Sequence, residues 1–148
     1  MKTDIKNYVV EALFELLKSK ELKNIKIVEL VKLTGISRTS FYNNFKNIED
    51  VIDYKIENVV IDIKNIITLN KLRNKSLKKL LIEILNYINN NNNIFIIIKN
   101  KLFFKFKEEL DKEYNTYEYI IKSGIIINLC LLYINNNFKI DLDKIKID

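Results

Sequence analysis

The sequence predicts an all-α protein, with an N-terminal tri-helical helix-turn-helix domain over residues 1–46 and a longer helical domain over 47–148. Three observations carry that expectation. Apolar residues recur at i, i+3, i+4 and i+7 in one segment after another, the spacing that lines one side of a 3.6-residue helix. No proline interrupts these segments, and the chain has only two glycines. One of the two, Gly35, stands between two short helical patterns and is followed by Ile36 and Ser37.

The elements follow in order. Ile5, Tyr8, Val9, Ala12, Leu13, Leu16 and Leu17 form one stripe, with Lys6, Glu11, Glu15 and Lys18 between them, and predict an amphipathic helix over about 4–19. The polar residues 19–24 are a connection, after which Ile27, Leu30 and Val31 mark a short helix ending near Thr34. A third helix is expected from about Arg38 to Phe45, capped by Ser37, with Phe41 and Phe45 on its inner face. Asn47 caps a longer helix that reaches about residue 69 through Ile48, Ile52, Ile56, Val59, Ile63, Ile66 and Ile67, with Asp50 placed to close a capping box.

Ser76 caps the next helix, whose stripe is Leu77, Leu80, Leu81, Ile84, Leu85 and Ile88. The asparagine run 89–93 is expected to break it, because asparagine bonds to its own backbone and favours turns. Helices over about 94–112 and 116–136 complete the chain, although Ile94 to Ile98 also fits a strand. In the last helix Ile120, Ile121, Ile125, Leu129 and Leu132 form one face, and Ile126, Ile127, Cys130, Leu131 and Ile134 make the opposite face apolar too. A helix apolar on both sides must be covered on both, and a second copy of the chain is the simplest cover.

Composition narrows the chemistry. With 48% hydrophobic and 30% charged residues in 148, the chain can bury a substantial core. There is no histidine, and the lone Cys130 supports neither a disulfide nor a zinc site. No enzyme activity and no cofactor are therefore expected, and Asp141 and Asp143 are taken as solvated turn residues. The absence of an export signal and a single cysteine suit a reducing cytoplasm. The longest apolar run, Gly124 to Ile134, is about half the ~20 residues a membrane helix needs, so no membrane partner is expected. Residues 1–46 carry nine basic and five acidic side chains, whereas 47–70 carry two and five. The densest basic cluster, Lys71, Arg73, Lys75, Lys78 and Lys79, lies outside the first domain and is taken as a solvated helix start.

A tight turn between the second and third helices needs a residue that accepts positive φ, then an apolar residue directed inward, then a cap; Gly35, Ile36 and Ser37 supply these in order. An ordinary glycine C-cap between two core helices has the same geometry. Beyond the turn, Thr34-Gly35-Ile36-Ser37, Arg38, Thr39-Ser40, Phe41-Tyr42, Phe45 and Ile48-Glu49-Asp50-Val51 resemble the TetR/AcrR family of transcriptional regulators over about residues 5–52. The chain departs from that pattern at Lys26, where the family often has a threonine cap, at Asn44, and at Ile48.

The resemblance implies a repressor that binds a palindromic operator in double-stranded DNA as a homodimer, the second domain supplying ligand binding and dimerisation. The DNA-contacting candidates are Lys26, Ser37, Arg38, Thr39, Ser40, Tyr42, Asn43, Asn44 and Lys46. Tyr54, Tyr87, Phe95, Phe103 and Tyr117 are candidates to line an effector pocket, or simply core aromatics. Gly124 suggests a close helix crossing in the last helix. A function of a different class is a helical interaction protein that keeps this fold without specific DNA binding.

Overall fold

The structure, a computed structural model, describes residues 2–73, 76–113, 117–141 and 144. Among them the regular elements are all helical: α1 (Lys2–Leu17), a 3-10 turn (Leu22–Asn24), α2 (Ile27–Thr34), α3 (Arg38–Tyr42), α4 (Ile48–Leu72), α5 (Leu77–Asn90), α6 (Asn92–Glu113) and α7 (Tyr117–Asn135). The segment Ile94 to Ile98 is helical, which settles the strand alternative. No helix among the described residues is long and apolar enough to cross a membrane.

The chain forms two compact units, Met1–Asn58 and Val59–Asp148, so the division falls inside α4 rather than at its start. In the first unit α1 contributes Val9, Val10, Ala12 and Leu13 to the core, α2 contributes Leu30 and Val31, and α3 contributes Phe41. Ile25, the residue just after the polar connection 19–24, is also buried. It precedes the N-cap of α2 while Leu30 occupies the fourth helical position, the two sites of a hydrophobic staple. The N-terminal part of α4 adds Val51, Ile52 and Ile56.

In the second unit the remainder of α4 buries Val59, Val60 and Ile63, and α5 buries Leu80, Leu81, Ile84, Leu85 and Ile88. Helices α6 and α7 add Phe95, Ile98, Leu102, Ile126, Cys130 and Ile134. Lys99 Nζ donates to Asn135 Oδ1 at 2.7 Å, tying α6 to the far end of α7. Burial pushes the Cys130 thiol up to about 12, which keeps it protonated and unreactive.

The asparagine run departs from expectation. Helix α5 continues through Asn89 and Asn90, only Asn91 leaves helical geometry, and α6 begins at once with Asn92. Asn91 serves both helices: its Nδ2 donates to Tyr87 O at 2.9 Å, and its own carbonyl accepts from Ile94 N at 2.9 Å. Ile88 and Phe95, both without exposed surface, anchor the two sides of this hairpin. Burial of those side chains outweighs the ~0.6 kcal/mol by which each asparagine disfavours a helix.

Candidate nucleic-acid interface

Helix α2 has no side-chain cap at Lys26, in keeping with the departure noted in the sequence, but its first turn is not left open. Glu29 Oε2 accepts from the Lys26 backbone N–H at 3.0 Å, and Oε1 accepts from the Lys20 ammonium. These contacts, the Lys20 hydrogen bond foremost and the Lys26 amide next, hold the Glu29 carboxyl below the usual carboxylate range. The acid beside Lys26 is thus engaged within the protein, while the Lys26 side chain projects into solvent.

The turn after α2 has the backbone its sequence asks for. Gly35 is left-handed at φ 72° and ψ 6°, and Ser37 then accepts at Oγ from Ser40 N at 3.0 Å to start α3. A Cβ added to Gly35 would meet no atom within 4 Å. Any cost of substitution is therefore conformational rather than steric. Gly35→Ala is expected to lower stability by about 1 kcal/mol, Gly35→Val by somewhat more, and Gly35→Asn by only a few tenths, in urea denaturation of the full chain.

Helix α3 covers only Arg38–Tyr42, shorter than the expected span to Phe45. Asn44 accounts for the difference: its Nδ2 donates to Ser40 O at 2.8 Å, and the Asn44 and Phe45 amides both converge on Phe41 O at 2.9 Å. The chain turns tightly there, and Asn44 is a turn-former whose amide is already engaged. On the inner side Phe41 has no exposed surface and Phe45 has 4%. Their rings lie 5.9 Å apart.

On the other side Arg38, Thr39, Tyr42 and Asn43 are all exposed, at i, i+1, i+4 and i+5. Tyr42 stands edge-on to Phe41 at 5.5 Å and is 57% exposed. Ser37 and Lys46 are exposed and Ser40 half-buried, its amide used by the cap. Lys46 begins the approach to α4: its backbone N–H reaches Asp50 Oδ2 at 2.9 Å, and Asp50 N donates to Asn47 Oδ1 at 2.8 Å. Asp50 thus closes back one residue further than a capping box does, leaving the Lys46 side chain to solvent. The structure sets guanidinium, hydroxyl and amide groups along one short helix, able to meet phosphates and base edges.

One residue that the sequence did not single out holds this region together. Lys6 Nζ lies 4.8 Å from the Tyr54 ring centroid and 5.6 Å from that of Phe45, and the two rings are 5.8 Å apart. This cation–π contact ties α1 to the end of the α3 turn and to α4, and contributes about 0.5–1 kcal/mol. In the sequence Lys6 is a polar position of an amphipathic helix, with nothing to mark it. Elsewhere in the unit a shallow groove lined by Tyr8, Glu11, Glu15 and Leu33 carries acids, the wrong sign for phosphate.

Three of the expected pocket aromatics lie among the described side chains. Tyr54 belongs to the Lys6 contact in the first unit. In the second, Tyr87 and Phe95 meet edge-on at 6.0 Å, Phe95 is fully buried, and Tyr87 Oη donates to Asp62 Oδ2 at 2.7 Å. Burial and the Asp62 carboxylate raise the Tyr87 phenol above its usual range. These are packing contacts. The side chains of Phe103 and Tyr117 lie outside the described residues, as do Asp143 and Lys75. Of the remaining basic cluster, Lys71, Arg73 and Lys79 are exposed and Lys78 is half-buried. Among the described residues no three acidic or cysteine side chains gather as a metal site would require. No protein-family model matches the chain, and no characterised protein matches it at a significant level.

Proposed function

We propose that this chain is a sequence-specific DNA-binding transcriptional regulator of the TetR type, acting in the cytoplasm as a homodimeric repressor on a palindromic operator. The observation that carries the reading is the pairing of the left-handed Gly35 and Ser37 cap with α3, whose Phe41 faces inward while Arg38, Thr39, Tyr42 and Asn43 face solvent. In this reading α3 enters the major groove, and two copies place their α3 helices about 34–36 Å apart, one turn of DNA. Release by an effector then requires that the effector bind the two geometries of the dimer with different affinity.

The dimer in this reading is supported by α7. Ile126, Cys130 and Ile134 face the core, whereas Ile121, Ile125 and Leu132 are 62%, 37% and 50% exposed. Asn128 lies in that outer stripe, but its Nδ2 donates to Gly124 O at 2.8 Å, which turns part of its polarity back onto the helix. A Cβ added at Gly124 would meet nothing within 4 Å among the described residues, so none of these crosses closely there. In this reading a partner helix makes the close approach suggested by the sequence.

The test is titration of labelled DNA from the flanks of the coding region at several salt concentrations. Wild type is expected to prefer an inverted repeat over a scrambled duplex. Arg38→Ala should weaken binding about tenfold and flatten the salt slope by about one, the signature of a lost phosphate contact. Tyr42→Phe should weaken operator binding more than scrambled binding. Equal affinity for both duplexes, untouched by either substitution, would rule the reading out in favour of a helical interaction protein.

A further inference from the structure

The segment leaving α7 contains two consecutive left-handed residues, Asn137 at φ 52° and Phe138 at φ 61°. Phe138 N donates to Tyr133 O at 2.8 Å and Asn137 N to Ile134 O at 3.3 Å, the paired bonds of a Schellman ending. Asparagine accepts this conformation readily; a phenylalanine does so at a cost of about 1–2 kcal/mol. The bend folds the Phe138 ring back onto Tyr133, edge to face at 5.6 Å and 85°. It also brings the residues that follow beside α5.

A cleft of about 450 Å³ results, within the size range of small-molecule sites. Its apolar wall is Leu85, Tyr133 and Phe138, and its rim carries Asn86, Lys139 and Asp141. The polar groups differ in what they have to offer. Asp141 is engaged by Lys144 at 3.3 Å. The Asn86 amide and the Lys139 ammonium have no hydrogen-bond or ion-pair partner among the described residues, and both side chains are exposed. Burial raises the Tyr133 phenol above its usual range.

We infer that this cleft is a binding site for a small organic monocarboxylate with an apolar or aromatic body. The Lys139 ammonium and Asn86 N–H groups take the carboxylate, and Leu85, Tyr133 and Phe138 take the body. Lys139 is the one lysine lining this cleft, while the nearby Lys144 is taken up by Asp141, so the site matches a single negative charge better than a phosphate ester or dicarboxylate. The site does not depend on DNA binding, and its test uses the full chain alone.

The probe is phenylacetate, titrated against the 15N-labelled protein, with 2-phenylethanol as the neutral counterpart and phenyl phosphate as the dianion. Expected are saturable shifts centred on residues 85–86 and 133–141, with phenylacetate binding at least tenfold tighter than either counterpart. Lys139→Gln, at an exposed position, should cost phenylacetate about tenfold and leave 2-phenylethanol unchanged; Lys32→Gln should alter neither; Phe138→Leu should weaken both by removing the aromatic wall. Three results would each overturn the assignment: shifts centred elsewhere, phenylacetate no tighter than 2-phenylethanol, or a Lys139→Gln protein that binds phenylacetate like wild type.

Discussion

Replacing Phe41 by alanine is expected to destabilise the N-terminal unit by about 3–5 kcal/mol, enough to unfold it, and to abolish operator binding with it. The magnitude follows from the size of α3. A helix of five residues cannot persist through its own hydrogen bonds and is held by what it buries. Phe41 is its only buried side chain, with no exposed surface, and it contacts the Tyr42 and Phe45 rings at 5.5 and 5.9 Å. Alanine there leaves a cavity among those rings and removes the anchor of the helix that carries Arg38, Thr39 and Asn43. Phe41→Leu, which keeps most of the volume, should cost about 1–1.5 kcal/mol and retain binding. Tyr42→Ala, at an exposed position, should stay within about 0.5 kcal/mol. Urea denaturation followed by circular dichroism reads all three. A Phe41→Ala protein with wild-type stability would mean that α3 is held by something other than this side chain.

The helices were legible because each buries a stripe that the sequence spells out. Most of the expected faces of α5 and α7 are buried: Leu80, Leu81, Ile84, Leu85 and Ile88 in one, and Ile126, Cys130 and Ile134 in the other, with Leu77, Ile127 and Leu131 half-buried at their edges. The turn at Gly35 was legible for a different reason, since glycine is scarce in this chain and the cap at Ser37 follows it at a fixed distance. Where packing competes with weak local preference, the sequence misleads. Four asparagines in the run 89–93 are helical before or after the single turn residue, because Ile88 and Phe95 fix the hairpin.

Long-range geometry left no trace in the sequence. The Schellman ending at Asn137 follows two further asparagines, so the sequence does not say which is left-handed, and nothing marks Phe138 as a second left-handed residue. Lys6 looks like any solvated lysine until two rings from distant positions arrive beside it. Asn70 is the converse case. It follows Ile63 by seven residues and continues the buried stripe of α4 with 4% exposure, its Nδ2 without a hydrogen-bond partner among the described residues. An unsatisfied donor of this kind costs about 1–3 kcal/mol. A period-based reading passes over it because asparagine is not counted as apolar.

The double substitution Ile125→Glu with Leu132→Glu is expected to yield a folded monomer and, in the proposed reading, to weaken operator binding by about a hundredfold or more. Both residues lie on the outer side of α7, 37% and 50% exposed, so each carboxylate can remain in water and the fold should tolerate it. In a dimer built on that face the same two charges would enter a desolvated interface with their symmetry mates opposite. Burying unpaired like charges costs several kcal/mol per pair, more than a standard interface can spare. Loss of the second head then removes the gain from having two recognition helices on one DNA, which is why the affinity falls far more than for any single contact on α3. Light scattering coupled to size exclusion, with circular dichroism to confirm retained helix, measures the first part, and the salt titration measures the second. A doubly charged variant that remains dimeric would move the interface away from this stripe. One that becomes monomeric yet keeps full operator affinity would separate DNA binding from dimerisation and remove the palindromic operator from the mechanism.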